Sequence, residues 1–238
     1  MYPDYQQTPP PFIPQQQVDL AANVSKIMKR VYLKMFFAMI VTALTSYVCF
    51  NVPAVTYTLF SNSGLYFGLL IAEVVLVFVL AGALHKISST VATVLFYVYS
   101  ILNGIVLTAI LAAYTASSVF GTFVITAAVF GTMTIYGYVT KSDLSRVGNF
   151  LFMALIGLII CTIVNLFMHS STMEWIISFA GVVIFIGLTA WDTQKIKQMA
   201  AFADESQAGK LATIGALSLY LDFVNLFLYL LRFFGSRE

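Results

Sequence analysis

The sequence predicts an all-α, polytopic membrane protein of seven transmembrane helices. Three observations carry that prediction. Of 238 residues, 60% are hydrophobic and 9% are charged, whereas a soluble globular domain carries roughly a quarter charged residues. Seven stretches reach the about 20 mostly apolar residues that a helix needs to cross a hydrocarbon layer about 30 Å thick. None alternates apolar and polar residues as a membrane β-strand does: Leu65 to Leu84 is apolar on every face except at Glu73.

In chain order, residues 1–20 come first. The first 17 hold five of the six prolines and five glutamines, a composition that buries too little apolar surface to offset the entropy of ordering. Residues 1–20 therefore read as a disordered Pro/Gln-rich cytoplasmic tail, and residues 21–238 as one transmembrane domain. Span 1, near 31–50, starts too late and runs too long for a cleaved signal peptide, so it is a retained helix. Span 2, near 64–84, carries Glu73 at its middle. Spans 3 (89–113), 4 (119–139) and 5 (147–168) are apolar apart from hydroxyl and amide side chains, Asn103 and Asn165 among them, which suit bonds between helices. Span 6 (174–194) ends with Asp192, and span 7 (211–233) centres on Asp222.

Positive residues stay on the cytoplasmic side. Ten fall on one side: Lys26, Lys29, Arg30, Lys34, Lys86, Lys141, Arg146, Lys195, Lys197 and Lys210. The other side has only Arg232 and Arg237, at the C-terminal end. This places the N-terminus in the cytoplasm and, after seven spans, the C-terminus outside. A net charge of +2 with no basic stripe gives nucleic-acid binding no support. Cys49 and Cys161 sit in apolar runs without CxxC spacing and read as small buried hydrophobes.

A charged side chain at the bilayer centre costs at least about 2.5 kcal/mol on insertion scales, so intramembrane acids are functional hypotheses. Glu73, Asp192 and Asp222 qualify, and no Lys or Arg lies centrally in any span. Their outlets are a bound or shared proton, a visiting cation, or a base reaching in from a helix end. Ser218, Asp222, Asn225 and Tyr229 recur at spacings of four, three and four and share one face of span 7. Thr189 and Asp192 likewise share a face of span 6. A short turn after Asp192 makes spans 6 and 7 antiparallel neighbours, which lets the two aspartates meet at similar depth. Two carboxylates in reach of each other do not both ionise easily in a low dielectric, so the pair holds a proton over some pH range. Deprotonated, with Ser, Thr and backbone oxygens beside it, it supplies part of the oxygen shell that Ca²⁺ takes. Asp192 and Asp222 are thus both the candidate gate and pH sensor and the candidate metal ligands. Glu73, Thr189, Ser218 and Asn225 are the pathway candidates. His85 and His169 fall at opposite membrane faces and cannot share a zinc site.

Two segments carry a specific resemblance: GLTAWDTQKIK at 187–197 and ALSLYLDFVNLFLYLLRFFG at 216–235. They resemble the transmembrane Bax inhibitor motif family, also called the Bax inhibitor-1 family, the last segment being similar to its bacterial members. The resemblance implies a seven-helix fold with a central last helix and a location in a bacterial inner membrane. It also implies a pH-sensitive calcium leak controlled by an aspartate pair, which falls on Asp192 and Asp222, with Glu73 where members carry an acid in the second helix. Some bacterial members have an arginine at the cytoplasmic end of the second span; here Leu84, His85 and Lys86 stand there, leaving Lys86 or His85 as possible basic partners.

The expected function is therefore a non-enzymatic calcium leak channel with Ca²⁺ as cargo, protons as regulators and no resident cofactor. One alternative is a membrane interaction protein that regulates a protease or channel through its tail or a loop at 199–210. A less favoured one is a diaspartyl intramembrane protease, whose second aspartate would follow Gly-x-Gly; Asp222 instead follows Leu219, Tyr220 and Leu221.

Overall fold

A computed structural model describes residues 14–83 and 87–236. Among them the order is α1 (Pro14–Asn51), α2 (Pro53–Ser61), α3 (Ser63–Ala83), α4 (Ser89–Leu111), α5 (Ala116–Val139), α6 (Ser145–Met168), α7 (Ser171–Phe202) and α8 (Glu205–Phe234). Seven of these, all but α2, are long and apolar enough to cross a membrane. Several helices begin where a hydroxyl can satisfy an otherwise unpaired backbone amide. Ser88 accepts from the Val91 N–H at 3.2 Å, Thr115 from Ser118 at 3.3 Å and Ser170 from Met173 at 3.3 Å.

Three boundaries differ from the sequence reading. Helix α1 already begins at Pro14, so residues 14–20 of the expected tail are helical; a proline at the first position sacrifices no helical hydrogen bond, and the glutamines that follow are fair helix formers. Residues 1–13 of that tail lie outside the described residues. The loop between spans 1 and 2 contains α2, which Pro53 opens in its first turn. The expected loop at 199–210 shrinks to Ala203 and Asp204, because α7 runs eight residues past 194 and α8 starts at Glu205. Asn23 of α1 holds that turn, its amide donating to the Ala200 and Ala203 carbonyls at 3.1 and 2.9 Å.

Helix α8 is the axis of the bundle. It packs against α1, α4, α5 and α7, while α3 rests on α4 and α6 on α7 at the periphery. Its buried residues lie on every face, from Ala212 and Ala216 to Tyr220, Leu226 and Leu231. Lipid tails are as apolar as leucine, so burial alone does not hold such helices together; close packing and hydrogen bonds do. Small residues make the tight crossings. A Cβ on Gly137 of α5 would strike the Ala190 backbone of α7, and one on Gly148 of α6 would strike the Trp191 ring. On the other side of the axis, Gly104 of α4 lies against the Thr42 carbonyl of α1.

Candidate functional site

Helices α7 and α8 run antiparallel from their short turn, and Gly181 of α7 admits the Tyr229 ring of α8, which also stacks on Phe185 at 5.8 Å. This close seam brings Asp192 against α8. The Ser218 hydroxyl donates to the Asp192 carboxylate oxygen Oδ2. Asp222, one turn beyond Ser218 on the same face, is 4% exposed, and the Asp192 charge acts on it. Among the described residues the Asp222 oxygen Oδ2 is buried with no hydrogen-bond partner. Asp192, Ser218 and Asp222 therefore form one cluster, with an unspent acceptor at its buried end.

The remaining predicted residues divide differently. Thr189 is buried, but its hydroxyl donates to the Phe185 carbonyl of its own helix at 2.7 Å. The Asn225 amide likewise donates to Leu221 at 2.8 Å. Each has the residue type expected of a pathway, yet that donor is spent locally, as Ser, Thr and Asn side chains do in apolar helices. Glu73 is buried in α3 and sits elsewhere, beside Asn103 of α4, and among the described residues its Oε1 has no hydrogen-bond partner. It is not among the charges acting on either aspartate.

Between these two acidic places stands Tyr220, fully buried in α8. Its hydroxyl donates to Asn103 Oδ1 at 3.0 Å and shares a 2.6 Å hydrogen bond with Thr42 of α1. Phe96 and Tyr99 of α4 meet its ring edge to face, with centroids 5.7 and 5.9 Å away. One side chain thus ties α1, α4 and α8 at the level of the acids. A tyrosine in an apolar helix carries no signal of such a role, and only its partners reveal it.

The basic partner is also redistributed. Leu84, His85 and Lys86 lie outside the described residues. The cation that acts on Asp192 is Lys195, one turn further along α7; its ammonium lies 4.8 Å from the centre of the Trp191 ring. Among the described residues no Lys or Arg nitrogen comes within 4 Å of either aspartate. Lys34 of α1 is held by two hydroxyls instead, donating to Thr93 and Thr213 at 2.6 Å each.

The polar run after Asp192 has a structural use. Gln194 accepts from the Leu144 N–H at 2.9 Å and donates to the Ser142 carbonyl at 2.8 Å, and Lys197 donates to the Tyr138 carbonyl at 2.6 Å. These bonds clamp the α5–α6 connection to α7. In that connection Ser145 bonds Asp143 through its side chain and its N–H, holding the exposed carboxyl below its usual range.

No group of three His, Cys, Asp or Glu residues suited to a metal occurs among the described residues. Two carboxylates and a hydroxyl fill only part of a calcium shell of six to eight oxygens.

A family model described as inhibitor of apoptosis-promoting Bax1 matches residues 24–238. The inner membrane protein YbhL of Escherichia coli is 46% identical over 220 residues, which cover 91% of this chain and 94% of that protein. An uncharacterised protein of Borreliella burgdorferi is 42% identical over 216 residues, 90% of this chain and 93% of that one. Protein RP147 of Rickettsia prowazekii, also uncharacterised, is 40% identical over 219 residues, 91% and 92% of the two chains.

Proposed function

The chain belongs to the Bax inhibitor-1 family and is an integral membrane protein, and from that premise we propose that it is a passive, pH-sensitive calcium leak gated by Asp192 and Asp222. The observation that carries this reading is the buried Asp222 oxygen without a partner, one turn from the serine that bonds Asp192. A buried polar atom without a hydrogen bond costs about 1–3 kcal/mol. A site that served only to hold two helices together would have satisfied it. A proton shared between the carboxylates closes the seam. Its loss leaves two like charges that separate or accept a cation. Glu73 and its Asn103–Tyr220–Thr42 network form a second acidic station on the far side of Tyr220.

The orientation follows from charge. Lys26, Lys29, Arg30, Lys195 and Lys197 gather at the end of the bundle nearer Asp192, which we assign to the cytoplasm with the N-terminus. We read the chain as a channel rather than an enzyme because no Gly-x-Gly precedes Asp222; the Ser218 hydroxyl on Asp192 is in keeping with that reading.

The test is Ca²⁺ flux into proteoliposomes of the purified protein across a pH series. Flux is expected to rise with pH in the native chain and to lose that dependence in Asp192→Asn and Asp222→Asn. Unchanged flux and pH dependence in both variants overturns the gate assignment.

A further inference from the structure

Helices α1 and α5 both pack on α7 and α8 but make no substantial contact with each other among the described residues. The seam between them is a groove of about 970 Å³, walled by Met39 and Ala43 of α1 and Phe123 and Ala127 of α5, and floored by Phe223 and Phe227 of α8. It continues past Tyr32 and Phe36 into a second hollow of about 640 Å³. That hollow ends at Lys29, Thr134 and Tyr138, one turn from the end of α5 at Val139. The groove is thus apolar along its length and polar at one mouth.

Two side chains at that mouth are unspent. Lys26 and Arg30 are paired with Glu205 at 2.9 and 3.5 Å, but Lys29, between them in sequence, has no ion pair or hydrogen bond among the described residues. In α5, Thr126 and Thr132 return their hydroxyls to their own helix, at 2.7 and 2.8 Å. The Thr134 hydroxyl oxygen is buried without a partner. An unpaired cation above an apolar channel complements a lipid phosphate.

We propose that the α1/α5 groove holds an anionic phospholipid, with its acyl chains on Phe123, Phe223 and Phe227 and its phosphate at Lys29. The lipid completes the wall that α1 and α5 leave open beside α8, the helix that carries Asp222.

Native mass spectrometry of the purified full chain tests this, with dioleoyl phosphatidylglycerol and dioleoyl phosphatidylcholine offered in equal amounts. The native chain is expected to retain the anionic lipid about fivefold over the zwitterionic one, the preference one lysine provides. Lys29→Glu is expected to abolish that preference, and Ala127→Phe, which fills the groove, to reduce both adducts. Lys141→Glu, on the same membrane face but lining neither hollow, is expected to keep the native preference. Ala43→Phe repeats the filling test from the opposite wall should Ala127→Phe not fold. Equal retention of the two lipids, equal loss in Lys141→Glu and Lys29→Glu, full retention in a folded groove-filled variant, or a dimer in place of lipid adducts each overturns the proposal.

Discussion

Asp222 and Ser218 are one turn apart on the same helix face and are expected to respond oppositely to substitution. Ser218 meets a need of Asp192. Ser218→Ala leaves that carboxylate short of a donor and is expected to lower stability by about 0.5–2 kcal/mol, read as an earlier thermal transition in detergent. Asp222 instead carries an unmet need of its own. At alkaline pH it must either bear a buried charge or hold a proton against the solution, so Asp222→Asn is expected to be about 1–3 kcal/mol more stable there than the native chain. Lower stability in that variant would make the aspartate a structural residue. These residues were legible in the sequence because an acid in an apolar run is expensive, and the spacing from Ser218 to Tyr229 puts the polar groups on one face. Tyr220 was not, because its value lies in Thr42 and Asn103, far away in sequence and brought to it only by the fold. Thr189 and Asn225 show the converse: the right residue type on the right face, turned back onto its own carbonyls.

At the scale of elements, hydropathy found all seven spans and missed what polar residues do at their ends. The run Thr193 to Gln198 reads as the start of a loop because it is too polar for lipid, yet it remains helical to Phe202 and grips the α5–α6 connection. Hydropathy reports which residues tolerate lipid; it is silent about a helix that continues beyond it. Gln194 is the centre of that grip and is buried. Gln194→Leu strands the Leu144 N–H and the Ser142 carbonyl together, an expected loss of about 1–3 kcal/mol. Limited proteolysis between Thr140 and Ser145 should accelerate in step, whereas cleavage at the α7–α8 turn, held separately by Asn23, should not. The same clamp lies two residues from Asp192, so movement of the seam at the aspartates would be felt at the α5–α6 connection.

For the whole molecule, seven spans lead to the expectation that the two ends of the chain lie on opposite faces of the membrane. A reporter active only in the cytoplasm is expected to work when fused before residue 1 and to fail when fused after residue 238; activity at both ends would mean that one helix does not cross. The resemblance implied a central last helix, and the packing of α8 among α1, α4, α5 and α7 bears this out. The charges alone could set the orientation but not the arrangement, because which helix lies inside depends on shapes such as Gly137 against Ala190 that no hydropathy plot contains. That centrality bears on biosynthesis. Translation proceeds from the N-terminus, so α1, α4, α5 and α7 enter the bilayer before the element that joins them exists. Until α8 emerges, these four helices lack the one element that all of them pack against, with the Asn103 and Thr42 side chains waiting for Tyr220. Helix α8, the one carrying Asp222, must then leave the insertion machinery and find its way between neighbours already in place. Assembly and the proposed gate are thus completed in a single late step, and a ribosome that stalls before α8 leaves behind a membrane-embedded chain with neither.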